Sequence, residues 1–427
     1  MRVILFSCLL WLGAAAQPRT DSLLHHLLLA NPAQPLQQVL ANPAEYRCQI
    51  IYTQINRDAQ NQPRFTHYYF NYDPQLYFNP ASMVKMPLAF LSLEKLNDLN
   101  IPGLSAQTHM RFDSSQPWQR PFYKDTTATD GWPSIAHFIK KVFLISDNDA
   151  YNRMYQWVGQ QRIHQQLRAK GYPTAVISRQ FLGLTQEQNR HTNPVSFFDA
   201  KGKRLYSQPA QYNPDTFDFS RKILIGKAHL NKYDSLVNEP FDFSWHNNIS
   251  LKDFQQMLQS VMFPQSVPTS QRFRLKPADY TFLRTWLSAY PSETDNPKYD
   301  TATYYDNYVK FFFYDGSHRM PPGVRVFNKV GWAYGFLTDV SYVADFNNKV
   351  EYMLSATIYV NKDGVLNDDK YDIEDIGHPF LYQLGQTIYQ YELKRPRKQR
   401  PNLNAFKLTY GSRNPNDSRP AIKIADN

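Results

Sequence analysis

The sequence predicts an α+β protein in which one antiparallel sheet is assembled from both ends of the chain, with a helical region inserted between the ends. Three observations carry this. Two strand-like runs lie early, at residues 46–56 and 65–76, and three lie late, at 324–331, 335–345 and 350–360. Between the two groups, apolar residues recur at helical spacing in several segments. The late runs are separated by short turns, with Asn347-Asn348 making the tight turn between the last two, so neighbouring strands are expected to run antiparallel. A cleft is expected at the boundary of sheet and helical region, a common place for a ligand site.

Taken in order, residues 1–16 read as a secretory signal: Arg2, an apolar stretch from Val3 to Leu12, then Gly13-Ala14-Ala15-Ala16. That stretch is too short to span a bilayer. Cys8 lies within it, which leaves Cys48 as the one cysteine of the mature chain. An intramolecular disulfide and a cysteine–metal cluster are thereby excluded. Export without a disulfide points to a bacterial periplasm. Residues 17–44 are expected to form an N-terminal helix and arm, since Leu23, Leu24, Leu27 and Leu28 share a helical register until Pro32, Pro35 and Pro43 interrupt it.

Residues 45–393 are the expected catalytic domain. Its first two strands are joined by the turn-rich segment 57–63 and lead to a helix that carries Leu88, Leu91 and Leu96. The composition of 97–131 reads as loop. Pro133 suits a helix start, and Ile135, Phe138, Ile139, Val142 and Phe143 form an apolar stripe behind it. Helices are expected at 150–158 and at 161–170, the latter stopped by Gly171. An insertion is placed at 200–250, rich in Asp, Asn, Tyr and Phe without periodicity. Helical pattern returns at 249–263, 277–287 and 371–393. The basic run from Lys394 to Arg400 opens a tail, 394–427, expected to be flexible.

Composition narrows the function. With 42% hydrophobic and 15% aromatic residues the chain is too apolar to be disordered. The net charge of +10 is scattered outside 394–400, and no zinc-finger, recognition-helix or RNP pattern accompanies it. Nucleic acid is therefore not an expected partner; contact with anionic envelope components suits the charge better. The eleven histidines are dispersed, with no H-E-x-x-H and no Gly-rich phosphate loop, so neither a metal nor a cofactor is expected.

The chemistry-bearing stretch is Ser82-Met83-Val84-Lys85, where a strand-like run gives way to a helix. A spacing of three puts the lysine on the serine's face of the helix. A desolvated amine close to other cations is partly neutral and accepts a hydroxyl proton. Alone, this pair is a weak signal. Ser146-Asp147-Asn148, after an apolar helix, and Lys329-Val330-Gly331, within a strand, strengthen it by their order.

With S-x-x-K, S-D-N and a K-V-G in place of K-[T/S]-G, the chain resembles the class A β-lactamases and penicillin-binding proteins, a superfamily of active-site serine acyl-transferases. The resemblance implies a β-lactamase-like fold over 45–393, and roles follow residue by residue. Ser82 would be the nucleophile and Lys85 its base. Ser146 would relay a proton to the leaving atom, with Lys329 keeping the field positive and attracting a substrate carboxylate. Asn148 would hold the substrate amide, and Gly331 would permit close backbone approach. The N–H groups of Ser82 and Trp332 would receive the oxyanion. Asp147 would cap the following helix.

The departures carry information too. Val330 lacks the hydroxyl that helps bind a carboxylate, and Trp332 is bulky where the family usually has a small residue. Class A enzymes also place a glutamate after S-D-N with an asparagine four residues on. Here Glu187 is followed at that distance by His191, so these two are weak candidates for the deacylation base. The sequence thus predicts an exported serine hydrolase that forms an acyl-enzyme on a small-molecule or peptide acyl substrate, a β-lactam or a D-Ala-type peptide, and is a poor β-lactamase. The alternatives are a D-Ala-type peptidase or esterase on another acyl donor, and a non-catalytic binding module of the same fold. The first is told apart by acylation and deacylation rates, the second by the absence of any covalent adduct.

Overall fold

A computed structural model describes residues 18–424; the expected signal segment at 1–16 lies outside the described residues. The central sheet has five strands in the spatial order Val324–Ala333, Phe336–Asp345, Val350–Tyr359, Gln49–Arg57, Pro63–Phe70. Every neighbouring pair is antiparallel. Both chain ends therefore build one sheet, as the strand pattern predicts, and the chain between them supplies the helical region.

Both faces of the sheet are covered, so four of its strands are buried almost throughout, whereas the edge strand Pro63–Phe70 alternates between half-buried and exposed positions along its first half. On one face, Ile50, Tyr52, Val326, Tyr352 and Leu354 pack under the helices Ser22–Leu29, Gln34–Ala41 and His378–Lys394 through Leu24, Leu36, Leu381 and Ile388. On the other face, Ile51, Ile55, Phe327, Tyr342 and Met353 meet Phe254, Met257, Leu258 and Val261 of the helix Leu251–Met262. Residues of successive number go to opposite faces, the period-two rule of a strand. The buried Glu351 is paired, accepting from both Arg57 and Tyr342, at 2.8 Å and 2.9 Å through Oε2. Among the described residues no helix is long and apolar enough to cross a membrane.

The helical region contains Lys85–Leu99, which runs three residues into the expected loop, and Ile135–Leu144, Asn148–Val158 and Gln160–Ala169, each within two residues of the expected limits. Ser134 Oγ caps the second by accepting from His137 N at 3.2 Å. Besides element ends, where the strand expected at 65–76 stops at Phe70 and the helix expected at 371–393 begins at His378, the structure departs from the sequence reading in four places. The proline-interrupted arm contains a second helix, Gln34–Ala41, because Pro35 falls in its first turn, where a missing N–H costs nothing. The loop 97–131 contains the strand His109–Phe112, which pairs with Val195–Phe198 and through it with Arg204–Gln208. Within the expected insertion, short strands at Ala228–Leu230 and Leu236–Val237 join Val365–Leu366, so this segment rests on the loop after the central strands.

The fourth departure is the tail, which is not loose. Phe406 is buried against Phe263, Phe327 and Tyr342, with Leu403 beside it. Arg395 donates to Asn56 Oδ1 at 2.6 Å, and both Arg395 and Arg397 pair with the buried Glu392. Farther on, Ile422 forms a parallel bridge with Tyr299. Of the basic run, Arg395 and Arg397 are thus neutralised by Glu392 of the preceding helix, and Arg395 also ties the run to the sheet through Asn56.

Candidate active site

The Ser82 turn is shaped by its own sequence. Asn79 Oδ1 accepts from Ala81 N at 2.8 Å, and Met83 N donates to Pro80 O at the same distance. Ala81 sits at φ +43°, an uncommon conformation for a residue with a side chain. The turn Ala81–Val84 then runs directly into the helix that Lys85 begins. Against it lies the strand Val324–Ala333. A Cβ on Gly331 would stand 2.5 Å from Pro80 O and 3.1 Å from Met83 N. Glycine is thus required here by the serine turn itself.

Lys85 is completely buried. Its Nζ donates to the Ser146 carbonyl, to Asn148 Oδ1 at 2.6 Å and to Ser146 Oγ at 3.3 Å. From the other side of the cleft Lys329 Nζ donates to the same Ser146 Oγ at 2.8 Å and to Val330 O at 2.7 Å. Ser146 is held at φ +69°, a strained conformation that presents both its carbonyl and its hydroxyl to the amines. Because the hydroxyl accepts from two amines, its own proton is left to donate elsewhere.

Burial pulls the Lys85 ammonium down to about 7, opposed by the charge of Asp147. Lys329 falls well below the usual lysine range, first through burial and then through repulsion from Lys85, with Asp339 opposing. Asp147 caps the helix Asn148–Val158, accepting from Ala150 N at 2.7 Å, and pairs with buried Lys141 at 3.4 Å. Burial raises its carboxyl despite that pair.

Ser82, Ser146, Asn148 and Trp332 line one cavity of about 470 Å³. Of the residues expected from the motifs, Lys85, Lys329 and Gly331 stand immediately behind these. Three others lie elsewhere. Val330 is fully buried on the face of the sheet covered by the C-terminal helix, with Leu337 and Ile358. Its side chain does not border the cavity, so the lost hydroxyl is not a missing substrate contact. The strand turns that position inward. Glu187 is largely exposed and pairs with Arg190 and with His191 at 3.6 Å and 3.5 Å. His191 borders an adjoining cavity of about 740 Å³ and packs on Trp118 and Tyr212.

What faces Lys85 from that side is aromatic. The ring of Phe181 lies 5.1 Å from Lys85 Nζ and stacks on Tyr151, with centroids 4.5 Å apart. Its segment is pinned by side-chain acceptors, Asn189 Oδ1 to Gln180 N at 2.7 Å and Asn152 Oδ1 to Phe181 N at 2.8 Å. Arg179, Phe181, His246 and Tyr334 all border the cavity, and sequence reasoning missed all four. None belongs to a spaced motif; Arg179-Gln180-Phe181 reads as ordinary loop. Among the described residues no group of three or more His, Cys, Asp or Glu is placed to hold a metal ion.

In sequence, residues 31–211 match the model of the family described as the beta-lactamase enzyme family. No curated protein matches. Solved structures similar to this chain include a β-lactamase from Sphaerobacter thermophilus, at 12% identity and TM-score 0.45, over 84% of this chain and 96% of that one. A β-lactamase from Xanthomonas campestris is similar at 11% identity and TM-score 0.47, over 86% and 97%. PBP-A is similar at 12% identity and TM-score 0.46, over 88% and 98%.

Proposed function

We propose that this chain, a β-lactamase-like protein by its fold, its three motifs and its match over residues 31–211, is an exported active-site serine hydrolase working through an acyl-enzyme on Ser82. The observation that carries the reading is the Ser146 hydroxyl, held between the two buried amines of Lys85 and Lys329 beside Ser82.

In this reading, neutral Lys85 takes the Ser82 proton as Oγ bonds to the substrate carbonyl carbon. The N–H groups of Ser82 and Trp332 receive the oxyanion. As the bond from carbonyl carbon to leaving nitrogen or oxygen breaks, Ser146 gives its proton to the leaving atom and recovers one from Lys85. The product is an ester on Ser82 with Lys85 again neutral. Asn148, donating its amide hydrogens, orients the acyl group, and Lys329 attracts a carboxylate on the leaving side.

Hydrolysis of that ester needs a base for water. A phenyl ring at Lys85 and a solvent-exposed Glu187 support a slow second half-reaction, hence a poor β-lactamase and a long-lived adduct. Intact-mass measurement after incubation with penicillin or a fluorophosphonate tests the reading. One added mass in the wild type and none in Ser82→Ala is expected; labelling that survives the substitution discards it. A fold kept only for binding would show no adduct in either protein.

A further inference from the structure

Arg179 is the cationic side chain lining the Ser82 cavity. Its guanidinium lies against the His246 ring, with one terminal nitrogen 3.1 Å from each ring nitrogen, of which only the one without a hydrogen can accept. The guanidinium also lies over Trp245, 4.9 Å from the ring centroid, with a smaller cavity of about 150 Å³ on that side. Among the described residues no carboxylate forms an ion pair with it. A planar cation laid against two flat rings keeps part of its donor fork unused.

The surroundings fix where it stands. Asn247 Oδ1 accepts from Ser178 N at 2.9 Å and Arg179 N at 3.3 Å, while Tyr151 donates to Arg179 O at 2.7 Å. Trp245, His246 and Asn247 come from the inserted segment, and the rings of His246 and Tyr334 are 6.0 Å apart. Burial and Arg179 together hold the His246 ring far below the usual imidazole range, at about 3, so it adds no second charge. Tyr334 sits at the hairpin tip past Ala333; five residues of chain from Lys329 give a reach of about 16 Å. Arg179 stands at the end of the cavity marked by His246 and Tyr334, while Lys329 stands behind Ser146.

We propose that the acyl donor of Ser82 carries a carboxylate on its acyl portion, at the end remote from Lys329, and that Arg179 receives it through the free edge of its guanidinium. This rests on the acyl-enzyme reading and adds a substrate class to it. A carboxylate suits the planar fork, and the cavity offers no other charge at that end.

The test uses two p-nitrophenyl esters of four-carbon acids, butyrate and the monoester of succinate. Ser82 Oγ displaces the same p-nitrophenolate from each, forming one ester bond as one breaks, so only the acyl end differs. The wild type is expected to favour the succinate ester in kcat/KM by about tenfold, mostly through KM. Arg179→Gln should lower that ratio about tenfold whatever happens to the absolute rates, and Arg179→Lys should recover part of it. A wild type that does not prefer the succinate ester overturns the proposal, as does an unchanged ratio in Arg179→Gln. Turnover of both esters by Ser82→Ala would instead overturn the underlying reading.

Discussion

Lys329 Nζ lies 2.8 Å from Ser146 Oγ, closer than the 3.3 Å of Lys85 Nζ to the same oxygen. Two buried amines on one hydroxyl cannot both carry full charge at low cost. Burial lowers both amines, and the charge of Lys85 lowers Lys329 further.

The pH dependence of acylation follows from Lys85. Its ammonium titrates at about 7, far below an ordinary lysine, because burial outweighs the attraction of Asp147. Below that pH the amine is protonated and cannot accept the Ser82 proton; above it the base is free. The rate of fluorophosphonate labelling should therefore rise with pH and reach half its plateau near 7. A flat profile between about pH 5 and about pH 9 would argue against Lys85 as the base.

Ser146 and Lys329 should act as a unit. Ser146→Ala and Lys329→Ala are each expected to slow acylation by about 10²–10⁴-fold. The double substitution should cost little more than the worse single one, because each removes the same proton path. Full additivity in stopped-flow acylation rates would show that the contact between them is incidental.

Phe181 occupies the approach to Lys85, and replacing the ring by a carboxylate should change the second half-reaction. Phe181→Glu is expected to shorten the lifetime of the penicillin adduct and to move the acylation midpoint above that of the wild type, a nearby anion favouring the ammonium. Both are read from one series of intact-mass time courses at several pH values. An adduct of unchanged lifetime would mean that water is excluded by something other than the ring.

Gly331→Ala would bring a Cβ to 2.5 Å from Pro80 O, against backbone that has no flexible end to yield. A destabilisation of about 1–3 kcal/mol is expected from the clash. Acylation should fall beyond what the loss of folded protein explains, since the displaced element is the Ser82 turn. Melting temperature and labelling rate measured together separate the two effects.

Phe406→Ala should remove the aromatic anchor that seats the C-terminal segment on Phe263, Phe327 and Tyr342. The expected cost is about 3–5 kcal/mol in denaturant unfolding, with the labelling rate of the folded protein retained. A cost near zero would return this segment to the flexible tail that its composition suggests.

The sheet and the motif positions were legible in the sequence because both are local signals. Strand runs at the two ends and helical stripes between them need only neighbouring residues to be recognised, and Asp147 announces its cap by preceding a helix. Val330 was misjudged because a motif names a residue without saying which face of the strand it takes. The strand at His109–Phe112 was hidden because four residues alternating in burial are too few to stand out from loop.

By itself, then, the chain's order of residues determined an antiparallel sheet from both termini, a serine and lysine one turn apart, and two further polar motifs in a meaningful sequence. Tertiary structure alone decided which amines meet the Ser146 hydroxyl, that a phenyl ring and not a carboxylate faces Lys85, that Arg179 enters the cavity, and that the last residues are bound to the body. Each of these depends on segments far apart in the chain being brought within a few ångströms by packing. Such proximity is set by the whole fold and leaves no local period to read.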